Sequence, residues 1–98
     1  MNRPNPLRRS LAENRKLFGC WLELSSSPIA EMMALIGYDL LLIDMEHGPV
    51  ALSETADMVR GIARTDAAAV VRLPANDPIF IQRLLDQGPD GIVIPVIS

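Results

Sequence analysis

Asp44, Glu46 and His47 follow one another closely, directly after the aliphatic run Leu40-Leu41-Leu42-Ile43 and directly before Gly48-Pro49. His47 is the only histidine of the chain. Imidazole is the side chain whose ordinary pKa lies near neutrality, so it is the natural proton carrier here. A carboxylate bonded to one ring nitrogen fixes the tautomer and makes the other nitrogen more basic, which suits a general base. The plainer alternative is a loop histidine with surface carboxylates beside it. Arg72 is the second candidate. It follows Val70-Val71 in a run that should be buried, and a guanidinium in such a place needs a partner. Its fork suits a carboxylate or an oxyanion bound through two hydrogen bonds; the alternative is an internal ion pair with Asp44 or Glu46. Trp21 and Glu23 end an earlier apolar run and could line the same mouth, although Trp21 also suits plain packing. Asp77 reads as a helix cap. Asp86 falls near a helix C-terminus, where negative charge is disfavoured. A metal centre needs several converging ligands. Asp44, Glu46 and His47 offer a few, and no second segment completes the set.

These residues are positioned by an alternation of apolar runs and helical patterns. Residues 1–6 read as a flexible tail with two prolines. Leu7 to Leu17 reads as a helix, and Phe18 to Leu24 as a first strand. Ser27 and Pro28 signal a helix start, with Ile29, Met32, Met33, Leu35 and Ile36 on its apolar face and Gly37 as its stop. Leu40–Asp44 is a second strand. A helix then begins at about Ser53 with Glu54 in its first turn. Ala67 to Leu73 is a third strand. Asp77 and Pro78 open a helix that Gly88 ends, and Gly91 to Val96 is a fourth strand. The strands are aliphatic without polar alternation, as parallel strands buried on both faces are. The pattern is α/β: βαβαβαβ with a preceding helix. A doubly wound sheet and a (β/α)8 barrel both fit. No Gly-x-Gly-x-x-Gly or Gly-Lys-Ser/Thr loop follows a strand, which favours the barrel. Catalytic groups of a barrel sit at the C-terminal strand ends, where Asp44, Glu46, His47 and Arg72 fall.

Composition narrows the function classes. The chain has 98 residues, 49% hydrophobic and 21% charged, with a net charge of −3. Five of its nine basic residues (Arg3, Arg8, Arg9, Arg15 and Lys16) lie near the N-terminus, without the interleaved aromatics of a nucleic-acid surface. No run approaches the roughly 20 apolar residues of a membrane span, and the polar N-terminus is unlike a signal peptide. The lone Cys20 forms no internal disulfide and suits a reducing compartment. The expectation is a cytoplasmic protein that binds neither nucleic acid nor membrane, with Cys20 in a packed position.

The residues resemble the N-terminal part of the HpcH/HpaI aldolase family of class II pyruvate aldolases, which act on substrates such as 4-hydroxy-2-oxoheptanedioate and 2-dehydro-3-deoxyglucarate. The resemblance is carried by Gly19-Cys20-Trp21-Leu22-Glu23-Leu24-Ser25-Ser26, by Asp39 to Pro49, by Val70-Val71-Arg72-Leu73-Pro74 with Asn76-Asp77-Pro78, and by Leu84-Leu85-Asp86-Gln87-Gly88. It implies the N-terminal half of a (β/α)8 barrel over residues 7–98. It also implies cleavage of a 2-oxo-4-hydroxy acid to pyruvate and an aldehyde, with a divalent metal (Mg2+, Mn2+ or Co2+) as cofactor. His47 matches the family's base, Arg72 the arginine that stabilises developing negative charge, and Asp86 the aspartate that makes the histidine more basic. Trp21 and Asp44 match residues lining the substrate pocket. Asp86 should lie at the far end of the barrel from His47, so the pairing is expected across subunits of a homo-oligomer.

The metal ligands implied by the resemblance, a Glu and an Asp, belong to later strands that these residues do not include. The expectation is therefore a fragment of a longer enzyme, with little turnover on its own. A truncated product or assembly module that pairs through open strand edges, and another enolate-forming C–C lyase of the citrate-lyase type, are the alternatives.

Overall fold

The structure, a computed structural model, describes residues 4–46 and 51–94. Its elements are α1 (Pro6–Ala12), β1 (Gly19–Leu22), α2 (Ser27–Ile36), β2 (Leu40–Asp44), α3 (Leu52–Ala63), β3 (Ala68–Arg72), α4 (Pro78–Leu85) and β4 (Gly91–Val93). The strands form one parallel sheet in the order β1-β2-β3-β4. This is the expected alternation, in chain order. Parallel neighbours need a crossover, and α2, α3 and α4 supply one each.

The two faces of the sheet differ. Leu22, Leu41, Ile43, Ala69, Val71 and Leu73 point to one side and are buried with Ala30 and Ala34 of α2, Met58 and Ile62 of α3, and Leu84 of α4. Cys20 and Ile92 pack against the same core, so Cys20 does take a packed position. The alternate residues belong to the other face. Trp21 is level with Leu42 and Val70, and Asp44 with Arg72 and Val93. No helix of the α2–α4 layer covers that face. At its lower edge α1 approaches: a Cβ on Gly91 would meet Leu7 Cδ2 at 3.4 Å.

Element ends follow local chemistry. Asn5, expected within a loose tail, is the N-cap of α1, accepting from Leu7 and Arg8 N–H groups. Its Nδ2 also donates to the Asp90 carbonyl at 3.0 Å, which ties the start of the chain to the entry of β4. The first helix stops at Ala12 rather than Leu17, because Asn14 takes a left-handed conformation (φ 55°), which Asn tolerates at a helix end. α2 is capped by Ser26 and not by Ser27. The Ser27 hydroxyl instead donates to the Asp57 carbonyl at 3.1 Å. α3 starts at Leu52, beside the expected Ser53 and with Glu54 in its first turn: Glu54 Oε1 accepts from the Ala51 N–H at 3.0 Å and so closes the helix entry. Asp77 caps α4 with Pro78 in its first turn, as expected. Gly37 (φ 129°) and Gly88 (φ 78°) provide the stops that only glycine makes without strain. The expected fourth strand is described to Val93, with residues 95–98 outside the described residues. Among the described residues no helix is long and apolar enough to cross a membrane.

Ile43 is fully buried at the middle of this core. Ile43→Ala should cost about 2–5 kcal/mol of unfolding free energy, read from urea denaturation. A loss below half of that would show that the helix layer does not close over β2.

Candidate active site

Three of the sequence-derived site residues meet at the C-terminal edge of the sheet's open face. Asp44 is the last residue of β2 and Arg72 the last of β3, and the register sets them side by side. Side chains at paired parallel positions project from the same face, so their proximity follows from the pairing. Arg72 Nη2 donates to Asp44 Oδ2 at 2.7 Å and Nε to Oδ1 at 3.2 Å. The contact is the two-pronged fork that favours arginine over lysine. A second carboxylate, Glu46 Oε1, lies 3.5 Å from Arg72 Nε. The Glu46 N–H donates to Asp44 Oδ1 at 2.9 Å, so the chain turns back on its own aspartate as it leaves β2. Trp21, one strand over, places its ring 4.6 Å from the Arg72 guanidinium carbon, within cation–π range.

The internal ion pair weighed as the alternative for Arg72 is therefore formed. Asp44 is almost wholly buried, its side chain 1% exposed, whereas the Arg72 side chain is 21% exposed. Two carboxylates and an indole face hold the guanidinium in one orientation at the mouth of the sheet. Such a group is ready to meet negative charge on an oxygen without reorganising.

Asp86 is elsewhere. It ends α4, and α4 runs from the exit of β3 to the entry of β4, so Asp86 lies at the opposite end of the strands. There it lines a groove of about 770 Å³ with Asn5, Arg64, Gly88 and Asp90. Glu23 is exposed just after β1. His47 lies outside the described residues.

Among the described residues no group of three or more His, Cys, Asp or Glu could hold a metal ion. Asp44 and Glu46 are the only carboxylates of the residues gathered here, and both face the Arg72 cation. A divalent cation placed between them would be repelled by the guanidinium, so this trio does not fit a metal.

Glu54 does more than open α3, the place its sequence position predicts for it. Its carboxylate accepts from the Ser25 hydroxyl and from the Ala51 N–H. Those two bonds, the Ser25 one first, hold its carboxyl below the ordinary carboxylate pKa, against a smaller opposing effect of desolvation. With the folded value lowered, the stabilisation is present above the unfolded pKa and is lost as pH falls through the folded one. The signal was present in the sequence as a Glu three positions after Ala51, but its partner Ser25 is 29 residues away.

Comparisons with known proteins agree on one family. The model of the HpcH/HpaI aldolase/citrate lyase family matches residues 17–98. A hydroxypyruvate/pyruvate aldolase of Paraburkholderia phytofirmans is 41% identical over 96 residues, covering 96% of this chain and 37% of that protein. The 5-keto-4-deoxy-D-glucarate aldolase of Escherichia coli is 36% identical over 95 residues, again 37% of its length. The crystal structure of an HpcH/HpaI aldolase/citrate lyase family protein from Burkholderia cenocepacia superposes with a TM-score of 0.87 at 39% identity, over 96% of this chain and 38% of that one. The chain thus spans little more than a third of the length of the relatives it matches.

Removing Arg72 leaves the buried Asp44 without its cation. Arg72→Ala should cost about 3 kcal/mol or more in unfolding free energy. Asp44→Asn combined with it should cost clearly less than the sum of the two single changes. Strict additivity in that double-mutant cycle would mean that the pair is not coupled.

Proposed function

The chain belongs to the HpcH/HpaI aldolase/citrate lyase family, and from that premise we propose that it is the N-terminal half of an aldolase barrel, cleaving a 2-oxo-4-hydroxy acid to pyruvate and an aldehyde. The observation that supports this best is the meeting of Trp21, Asp44 and Arg72 at the C-terminal ends of adjacent parallel strands. That edge is where barrel enzymes place their chemistry.

In the cleavage direction a base takes the proton of the 4-hydroxyl as the C3–C4 bond breaks. The aldehyde leaves, the electron pair passes into the 2-oxo acid as an enolate, and protonation at C3 gives pyruvate. His47 is the base in this reading. Arg72 stabilises the oxygen that carries alkoxide character, and its orientation by Asp44 and Glu46 keeps it in place without a reorganisation cost. Trp21 and Asp44 shape the wall against which the small acid lies. Dependence on Mg2+, Mn2+ or Co2+ is part of the proposal, with ligands from strands other than β1–β4. The trio here does not supply them.

Asp86 belongs to the proposal through a second copy of the chain. Its place at the far end of the strands separates it from the Arg72 edge of its own subunit. In a homo-oligomer it would raise the basicity of a neighbour's His47.

The test is retro-aldol turnover, followed by pyruvate release, in the full-length protein that carries this segment. His47→Ala and Arg72→Ala should each reduce kcat by about 10²–10⁴; wild-type rates in both would sink the assignment. Mixing His47→Ala subunits with Asp86→Ala subunits should restore part of the turnover, because one class of interface then regains both groups. No recovery in mixed oligomers, with both parents folded, would place Asp86 outside the site.

A further inference from the structure

Two loops leave the C-terminal edge of the sheet beside Trp21 and Asp44. One follows β1 and carries Ser25; the other follows β2 and ends at Ala51, the N-cap of α3. A single carboxylate joins them. Glu54, in the first turn of α3, accepts from the Ser25 hydroxyl with Oε2 and from the Ala51 N–H with Oε1. The other end of the second loop is also held, by the bond from the Glu46 N–H to Asp44 Oδ1. Glu46 and Ala51, the described residues on either side of His47 in the sequence, are therefore each bonded to a carboxylate.

The helices beneath this arrangement are bonded to each other. α2 and α3 pack closely where Ser27 donates to the Asp57 carbonyl, and a Cβ on Gly61 would come within 3.2 Å of the Ser27 hydroxyl. Thr55, wholly buried, donates to the Ala51 carbonyl at 2.9 Å. Glu54 thus projects from the first turn of α3, and what it holds are Ser25 and Ala51, both outside helix and strand.

We propose that Glu54 is a positioning residue of the site: it clamps Ser25 of the β1–α2 loop to Ala51 at the entry of α3 and so sets the width of the mouth in which Trp21 and Arg72 act. Its two bonds go to Ser25 and Ala51, so it works through the loops and not on a substrate. The structural part of the proposal stands on the geometry alone; its catalytic consequence rests on the aldolase reading.

The tests use Ser25→Ala, Glu54→Ala and Glu54→Gln in the full-length protein. Gln keeps both contacts, since its oxygen accepts from Ala51 and its amide can donate to a reversed Ser25 hydroxyl. Hydrogen exchange should rise by about tenfold or more at residues 24–27 in Ser25→Ala and Glu54→Ala, and also at Ala51 in Glu54→Ala, with the β2 and β3 amides unchanged. Glu54→Gln should return exchange to near the wild-type level. Acrylamide quenching of Trp21, the one tryptophan of the segment, should follow the same order. If Glu54→Ala does not fold, Ser25→Ala decides, because it leaves the Glu54–Ala51 bond in place. Wild-type exchange at residues 24–27 in Ser25→Ala, or Glu54→Gln as loose as Glu54→Ala, overturns the clamp. Absence of aldolase turnover in the wild-type protein sinks the aldolase reading alone, since exchange and quenching do not depend on it.

Discussion

Everything at the upper edge of this sheet depends on the register between β2 and β3. Parallel pairing sets Asp44 level with Arg72, and alternation sends both away from the helix layer. A slip of one residue would turn Arg72 into the space now filled by Leu41, Ile43, Val71 and Met58. An unpaired guanidinium in that dry core costs several kcal/mol, comparable with the whole stability of a small domain. The ion pair is therefore a weak source of net stability and a strong guard of register. The same contact that excludes wrong pairings also presents an oriented cation at the mouth, so fold and chemistry are constrained by one interaction.

The two faces of the sheet divide the work. The helix-facing side holds aliphatic and small residues only, and its energy comes from burial. The other face carries the polar groups, but only at its C-terminal edge; further down it holds Leu42, Ala68 and Val70. Trp21 links the two regimes. Its ring extends the apolar wall upward, and its face meets the Arg72 charge. Polar chemistry is thus placed where strands end and loops begin, so the sheet can be dry without stranding a charge.

Most of this was legible from the chain. Strand and helix order, the stops at Gly37 and Gly88, the Asp77 cap and the partnering of Arg72 follow from residue types a few positions apart, and local rules reach that far. Apart from the early end of α1 at Asn14, the misplacements share one cause. Ser27 looked like a cap, and Ser26 is the cap, because Ser27 is used by Asp57 across the helix pair. Asn5 looked like tail, and it caps α1 while reaching Asp90, 85 residues on. Ser25 and Glu54 looked unrelated. In each case a short polar side chain had two partners to choose from, one local and one across the fold. Sequence spacing exposes only the first. The family resemblance filled a different gap: it implied a role for Asp86 that no local rule supplies.

Asp86 differs from the other acidic residues at its end of the sheet. The other end of the sheet uses its acidic residues locally. Asp39 accepts from the Phe18 N–H and from Arg15, and Asp90 accepts from the Ala69 N–H at 2.8 Å, so both secure strand entries. Asp86 has exposure and a helix C-terminus beneath it, a place where the helix dipole repels a carboxylate. A small penalty of that kind is accepted at a surface when the group serves something outside its own fold. A groove of about 770 Å³ lies beside it. The proposed sharing of Asp86 between two copies would use this exposed position. In such an assembly the end of the barrel that stabilises one chain supplies the chemistry of the next.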